Sequence, residues 1–375
     1  MMKNKIGIVG GGQLGRMLAL AAIPLGFEVI VLDPNPDCPA SVCAKQILGS
    51  FKDPQAIFEL ANQVDFMTFE IESADASALT QLVQEGKSIH PTPSMLALIK
   101  DKYAQKIFYQ QHGIPTAQAR AVANRDEILG AAEILGYPLF LKARLDAYDG
   151  RGNAVIKAAE DIDAAIQKLG AKNLYVEQYI PFIKELAIMV ARDQQGNIKS
   201  YPVVETVHQN NICHTVFAPA QIDPNISLQA CKFAEQTVAH LDGAGVFGVE
   251  MFLTASGEIL INEIAPRVHN SGHYTTEACV TSQFEQHIRA VTGLPLGNTA
   301  LKVPAAVMLN LLGDIDTPDT CQGLADALAI PNVAVHLYGK KQSKPERKMG
   351  HLTAIGENIE TAYQCALAAK QSIRV

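Results

Sequence analysis

Val246-Phe-Gly-Val-Glu-Met-Phe-Leu-Thr254 and Glu258-Ile-Leu-Ile-Asn-Glu-Ile264 are two apolar runs that carry one carboxylate each among their inner residues, Glu250 and Glu263. Their length and content predict two strands, and Ser256-Gly257 between them predicts a two-residue hairpin turn. That register sets Glu250 directly opposite Glu263 on one face. Like charges so placed repel unless a cation lies between them. Oxygen ligands on rigid strands suit Mg²⁺, which is held by one or two carboxylates plus the phosphates of a nucleotide. Two solvated edge charges, or a register one residue off, would give no metal site. Both strands read as buried on both faces, which favours the metal.

The chain around this hairpin has 375 residues, too many for one ordinary domain, and two or three are expected. A hydrophobic content of 48% with 18% charged residues is that of a soluble globular protein. The formal net charge of −7 argues against a nucleic-acid partner. Seven cysteines, an odd number with no Cys-x-x-Cys pair, predict reduced thiols of a cytoplasmic protein rather than a disulfide framework or a zinc site. The apolar stretch Met17–Leu25 is short and broken by Pro24, so neither a signal peptide nor a membrane segment is expected.

Along the chain, Lys5–Gly10 predicts a strand, Arg16–Leu25 a helix and Phe27–Leu32 a second strand, one βαβ unit. Val64–Phe69 and Lys87–His90 predict two more strands before a break at Pro91-Thr-Pro93. Beyond it a helix is expected over Ser94–His112 and another from Asn124 to Gly136, with Asn124 and Glu127 as a capping pair. Strands follow at Tyr137–Ala143, Ala154–Lys157 and Leu174–Glu177, then a largely β stretch to Ile264 and a helix over Thr276–Thr292. Gly293-Leu-Pro-Leu-Gly297 reads as a linker into a small terminal domain.

Gly10-x-Gly12-x-x-Gly15, after a strand and before a helix, with Asp33 ending the next strand, meets the dinucleotide-binding pattern. The physics requires only that backbone N–H groups and a helix N-terminus face an anion. A substrate phosphate fits as well as a pyrophosphate, and a purely structural turn is a third reading. The loop Asp146-Ala-Tyr-Asp-Gly-Arg-Gly-Asn153, with Lys142 on the strand before it, suits covering a polyphosphate with free N–H groups and cations, though a plain hairpin tip has similar chemistry. Arg267-Val-His-Asn-Ser-Gly-His273 crowds five polar side chains into seven residues just after Glu263, a composition suited to an oxyanion. Lys340-Lys-Gln-Ser-Lys-Pro-Glu-Arg-Lys348 has five cations in nine residues, either solvated surface or a phosphate-monoester site.

Together these segments resemble the ATP-grasp superfamily and, within it, the N5-carboxyaminoimidazole ribonucleotide synthases of purine biosynthesis. The most specific pieces are Gly-Gly-Gln-Leu-Gly-Arg-Met (11–17), Tyr-Asp-Gly-Arg-Gly (148–152), Glu-Gln-Tyr-Ile (177–180), Asn-Glu-Ile-Ala-Pro-Arg-Val-His-Asn-Ser-Gly-His (262–273) and Arg-Lys-Met-Gly-His (347–351). The resemblance implies a mixed α/β and α+β fold. A Rossmann-like pre-ATP-grasp domain over 1–93 precedes an ATP-grasp domain over 94–295, whose lid covers about 115–183, and a small C-terminal domain over 296–375.

It further implies that Lys102 and Lys142 contact ATP phosphates and that Ala147, Tyr148, Asp149, Gly150, Arg151, Gly152 and Asn153 close over them. Glu177, Gln178, Tyr179 and Ile180 would hold adenine, Glu185 the ribose, and His208 a further nucleotide-side position. Glu250 and Glu263 would be the Mg²⁺ ligands, with Asn262 beside them. Gln13, Leu14, Glu70, Lys340, Arg347 and Lys348 would bind aminoimidazole ribonucleotide, with Tyr148 and Asp149 near its amine. This puts a substrate phosphate, not NAD, at the glycine loop. Arg267, His269, Asn270 and His273 are the candidates for holding a carboxyphosphate intermediate formed from ATP and bicarbonate. Three departures from the family pattern are visible: Ala147 for glycine, Asn153 for glutamine, and Lys344-Pro-Glu346 for Arg-Pro-Gly. A homodimer, and a separate mutase acting on the product, are also implied. The rivals are another ATP-grasp ligase, such as the ATP-dependent formyltransferase of the same pathway, and an NAD-binding oxidoreductase or inactive nucleotide-binding module.

Overall fold

The computed structural model describes residues 4–145, 152–170, 172–318 and 321–375. The first region is a five-stranded parallel sheet in the order Lys45–Leu48, Glu28–Asp33, Lys5–Val9, Phe66–Phe69, Ser88–Ile89. Parallel strands need cover on both faces. Ile6, Ile8 and Val31 pack with Leu18 and Ala22 of the helix Gln13–Ala22, while Val9, Leu32 and Phe69 pack with Ile57 and Leu60 of the helix Pro54–Ala61. All of these residues are fully buried, and each large one contributes about 1.5–3 kcal/mol. The strand Lys45–Leu48 is absent from the sequence reading because only one of its four residues, Ile47, is buried.

The expected helix over Ser94–His112 is two helices, Pro93–Lys100 and Lys102–Gln111. Asp101 breaks it: extended there, it accepts hydrogen bonds from the Tyr103 and Ala104 N–H groups and from Arg144. Lys102 therefore begins a helix instead of lying inside one. The capping pair at Asn124 forms as expected, with the Asn124 side chain on the Glu127 N–H and the Glu127 carboxylate on the Ala123 N–H. An antiparallel sheet in the order Ala119–Val122, Leu174–Gln178, Leu139–Ala143, Asn153–Ile156 carries the helices Arg125–Leu135 and Ile162–Leu169 on its covered face.

The largest sheet runs Ile259–Ala265, Gly245–Thr254, Phe182–Arg192, Val204–Gln209, Ile212–Ala218, Ala305–Leu312, Lys348–Gly356, Val333–Leu337, with Ile198–Ser200 beside Phe182–Arg192. It continues without a break across the expected linker, because Ile212–Ala218 pairs with Ala305–Leu312. The stretch read as largely β also contains the helix Pro224–Ala239, whose start was legible in Asp223-Pro224, an N-cap followed by a proline at the first helical position. The helix expected over Thr276–Thr292 is interrupted after Ala278 and resumes at Gln283 under a Ser282 cap.

Glu250 and Glu263 are paired, as the hairpin reading requires, but by another route. The turn has three residues, because the Thr254 N–H bonds to the Glu258 carbonyl and Gly257 takes a φ of +85°. Such a turn would place Asn262 opposite Glu250. A bulge at Asn262 restores the register: Met251 pairs with Ile261, then Glu250 with Glu263. A bulge turns two successive side chains toward one side, and Asn262 and Glu263 both line the same cleft.

Replacing Asp101 with alanine removes the cap of the helix that starts at Lys102, and with it the Arg144 contact. Urea unfolding is expected to show a loss of about 1–2 kcal/mol, and an unchanged midpoint would mean that the helix start is fixed elsewhere.

Candidate active site

The bulged hairpin, the helix from Lys102, the start of the N-terminal helix and the strand bearing Lys348 converge on a cleft of about 540 Å³. Its lining includes Gln13, Leu14, Glu70, Lys102, Lys142, Asn153, Glu177, Glu185, His208, Glu250, Asn262, Glu263, Arg267, His269, Asn270, His273 and Lys348. Positions hundreds of residues apart thus meet in one place.

Glu263 Oε2 lies 3.0 Å from Lys102 Nζ. Burial opposes the charge on Lys102, yet Glu263 outweighs it and raises the lysine's pKa. Glu250 has weaker support, its Oε1 being 3.6 Å from His269 Nε2. Burial first, then the Glu263 charge, push the Glu250 carboxyl up to about 7, while Lys102 holds Glu263 below its ordinary value. Glu250 thus favours the folded state most at acid pH, where it is protonated in both states. That contribution is lost as pH rises from about 4.5 through about 7. A cation between the two carboxylates removes this conflict. Among the described residues no cluster of three or more His, Cys, Asp or Glu is placed to hold a metal. Two carboxylates alone match Mg²⁺, which completes its shell with phosphate oxygens and water.

In the cleft wall, Glu177 is 2% exposed between two lysines, with Lys142 Nζ at 3.1 Å and Lys106 Nζ at 3.4 Å. Both Glu177 oxygens are engaged by these lysines, which leaves only the backbone of 177–180 for the expected adenine contact, and burial of the carboxylate is offset by their charge, which lowers its pKa. Lys106, fully enclosed, also donates to Thr116 Oγ1 and to the Asn262 carbonyl at the bulge. The sequence reading missed it, although it lies one helical turn beyond Lys102 and so on the same face. Gln178, Tyr179, Ile180 and Gly152 are outside the cleft lining; Tyr179 stacks on Phe140 with ring centres 5.5 Å apart. Glu185 and His208 do reach it, and they bond each other. Burial works against a charged His208, and the Glu185 carboxylate overrides this and raises its pKa.

At the glycine loop the expected anion is the protein's own. Asp33 accepts the Gly11 N–H at 2.9 Å and Glu70 accepts the Gly12 N–H at 2.6 Å. Gly10 and Gly15 are required here: Gly10 has a φ of +101°, and a Cβ on Gly15 would lie 2.5 Å from the Gly10 carbonyl oxygen. The Gly11 and Gly12 N–H groups are thus engaged by the protein's own carboxylates, while Gln13 and Leu14, the next residues, line the cleft. Burial raises the Glu70 pKa, against the Gly12 N–H and the Arg267 charge.

Arg267 is fixed by Glu72 at 3.0 Å, a carboxylate the sequence reading passed over although it lies two residues after Glu70 on the same loop. His269 and His273 are pushed well below the usual histidine range, chiefly by burial, and are neutral. Gln283 orders both: its Oε1 accepts the His269 N–H, and its Nε2 donates to His273 Nδ1. The Asn270 amide is paired both ways with Asn310. Of the basic run only Lys348 lines the cleft. Lys340 and Arg347, expected beside it, are engaged within their own segment: Lys340 donates to the Lys348 carbonyl, and Arg347 is exposed and donates to the Gln342 carbonyl. Burial, then Arg347 and Lys348, lower the Lys340 pKa to about 8. The candidates Ala147, Tyr148, Asp149, Gly150 and Arg151 lie outside the described residues.

Three family models match the chain: the ATP-grasp domain over residues 107–284, the ribonucleotide synthetase preATP-grasp domain over 2–100, and the phosphoribosylaminoimidazole carboxylase C-terminal domain over 306–364. A phosphoribosylaminoimidazole carboxylase of Ogataea methanolica is 46% identical over 96% of this chain and 68% of its own length. This chain thus spans about two thirds of that relative. The structure of N5-carboxyaminoimidazole ribonucleotide synthetase from Thermotoga maritima superposes with a TM-score of 0.90 at 46% identity, covering 100% of this chain and 99% of the other. That of the Aspergillus clavatus N5-carboxyaminoimidazole synthase, in complex with ADP and 5-aminoimidazole ribonucleotide, gives 0.91 at 39% identity, covering 98% of this chain and 99% of the other. With all three domain models in order along the chain, and the fold shared from end to end, the chain belongs to the N5-carboxyaminoimidazole ribonucleotide synthase family of ATP-grasp enzymes.

Proposed function

We propose that this protein joins bicarbonate to the amino group of 5-aminoimidazole ribonucleotide at the expense of ATP, giving N5-carboxyaminoimidazole ribonucleotide, ADP and phosphate. The observation that carries this reading is a single cleft in which the Glu250–Glu263 pair and the lysines 102 and 142 meet Arg267, His269 and Lys348. Glu250 and Glu263 would hold Mg²⁺, which supplies charge neutralisation at the ATP phosphates. Bicarbonate attacks the γ-phosphorus, the bond to the β-γ bridging oxygen breaks, and ADP leaves. Lys102 and Lys142 neutralise the charge spread over the phosphoryl oxygens. The mixed anhydride, carboxyphosphate, or CO₂ released from it, is attacked by the substrate amine, whose proton passes to the departing phosphate.

Arg267 and Lys348 donate to the intermediate's anionic oxygens, and neutral His269 and His273 add hydrogen bonds without competing for a proton. Glu185 and His208 face the nucleotide ribose. Lys348, Gln13, Leu14 and Glu70 form the ribonucleotide side, with the glycine loop already closed by Asp33 and Glu70. Water must be kept from so labile an intermediate, and the segment 146–153 is assigned that covering role. No helix among the described residues is long and apolar enough to cross a membrane, and all seven cysteines are free; both fit a cytoplasmic protein. The homodimer and the mutase that takes the product rest on the family resemblance.

The deciding experiment is ADP release with ATP, Mg²⁺ and bicarbonate, with and without aminoimidazole ribonucleotide. Strong stimulation by the ribonucleotide is expected; stimulation by a different amine would keep the fold and replace the substrate. Arg267→Ala should lower turnover about 100-fold with nucleotide affinity unchanged; equal losses in both would remove Arg267 from the anion site. Because Glu250 titrates near 7 and must be ionised to bind a cation, Mg²⁺ affinity for the ADP complex should fall roughly tenfold per pH unit below about 7. Calorimetry at about pH 6 and about pH 8 should show proton release only at the lower value, and its absence at both would separate Glu250 from the metal.

A further inference from the structure

Glu346 occupies a backbone position that most side chains avoid. The Arg347 N–H donates to the Lys344 carbonyl at 3.0 Å, so Lys344-Pro-Glu-Arg347 is a β-turn with proline second and Glu346 third. The φ of Glu346 is +65°, the left-handed region that glycine enters without steric cost. Glycine is what the family pattern has there. The turn is held from below, because the Glu346 N–H donates to the Gly313 carbonyl and the Gly313 N–H to the Arg347 carbonyl. Its backbone thus needs nothing from a glutamate side chain.

That side chain reaches a different element. Asn210 Nδ2 donates to Glu346 Oε1 at 3.1 Å across 136 residues of sequence. Asn210 and Asn211, with φ of +50° and +63°, form the tip of the hairpin between Val204–Gln209 and Ile212–Ala218. From this hairpin His208 and Asn211 line the cleft, and Lys348 lines it two residues beyond Glu346. His208 is bonded to Glu185 on the nucleotide side. The hydrogen bond therefore joins the turn that leads into the ribonucleotide-side lysine to the hairpin that carries the nucleotide-side histidine.

We propose that Glu346 is a positioning residue: with Asn210 it latches the turn before Lys348 to the hairpin bearing His208 and Asn211, so that the two binding sides of the cleft are held in register. The proposal rests on the assignment of those sides made under Proposed function. It explains why this chain keeps a strained glutamate where glycine would be relaxed. Ordering either side by its substrate orders the other through the latch.

The variants Glu346→Gly, Glu346→Gln and Asn210→Ala leave every cleft-lining residue in place. Hydrogen–deuterium exchange of the ligand-free protein over residues 208–214 reads the latch directly. Glu346→Gly and Asn210→Ala should each speed exchange at the hairpin tip about fivefold, the double variant no further, and Glu346→Gln should keep the parent rate because its amide oxygen still accepts. In steady-state kinetics Glu346→Gly and Asn210→Ala should raise KM for aminoimidazole ribonucleotide by roughly the same factor with kcat unchanged, and Glu346→Gln should keep the parent KM. Unchanged exchange in Glu346→Gly, or faster exchange with unchanged KM, overturns the latch and leaves Glu346 a turn filler. If the parent protein does not turn over the ribonucleotide at all, the assigned activity fails, and the exchange rates alone still decide whether the latch exists.

Discussion

Two carboxylates forced side by side are the constraint around which the cleft is arranged. Glu250 and Glu263 share a face because a one-residue bulge at Asn262 offsets a three-residue turn. Repulsion between them is relieved in part by Lys102 at 3.0 Å from Glu263, which must start a helix to be there. The helix starts because Asp101 breaks the preceding one and caps the next, and Arg144, just past the strand Leu139–Ala143 of the second sheet, fixes Asp101. Local choices in three elements therefore serve one electrostatic requirement. What remains unrelieved, a Glu250 carboxyl that resists ionisation, is what a divalent cation would satisfy.

A second charge cluster lies in the wall of the same cleft. Lys106, Glu177 and Lys142 are enclosed together, and removing one partner would leave a buried charge uncompensated, at a cost of about 3–5 kcal/mol. Lys106 also bonds the Asn262 carbonyl, so the same network that positions Lys142 supports the bulge. On the other flank the cleft is closed by neutral groups. His269 and His273 are kept uncharged by burial and ordered by Gln283, and the Asn270 amide is locked to Asn310 of the C-terminal strands. A site for anions surrounded by lysines and arginine gains from neutral donors, which add hydrogen bonds without raising the local charge further.

The glycine-rich start of the chain shows a motif read correctly in form whose loop is also held by the protein's own carboxylates. Strand, glycine loop and helix appear where the spacing puts them, and the loop's N–H groups do meet anions. Those anions are Asp33 and Glu70. Asp33 was visible at the end of the second strand. That Glu70 would return to Gly12 depends on the neighbouring strand lying next to the first in the sheet, which no local pattern specifies.

Sequence by itself determined the elements with strong local signatures. The Asn124 and Glu127 cap, the buried strands around Glu250 and Glu263, and the polar run Arg267–His273 all follow from residues a few positions apart, where side-chain periodicity and capping chemistry act. The resemblance carried by those runs identified most of the cleft. Tertiary structure decided what local chemistry leaves open. It split the helix at Asp101 and inserted the bulge that keeps the two glutamates opposed. It also set Lys348 in the cleft lining and tied Lys340 and Arg347 to backbone carbonyls of their own segment. A lysine's type says that it is cationic; only the packing of the strand beneath it decides which carbonyl or cavity its four-carbon stem can reach.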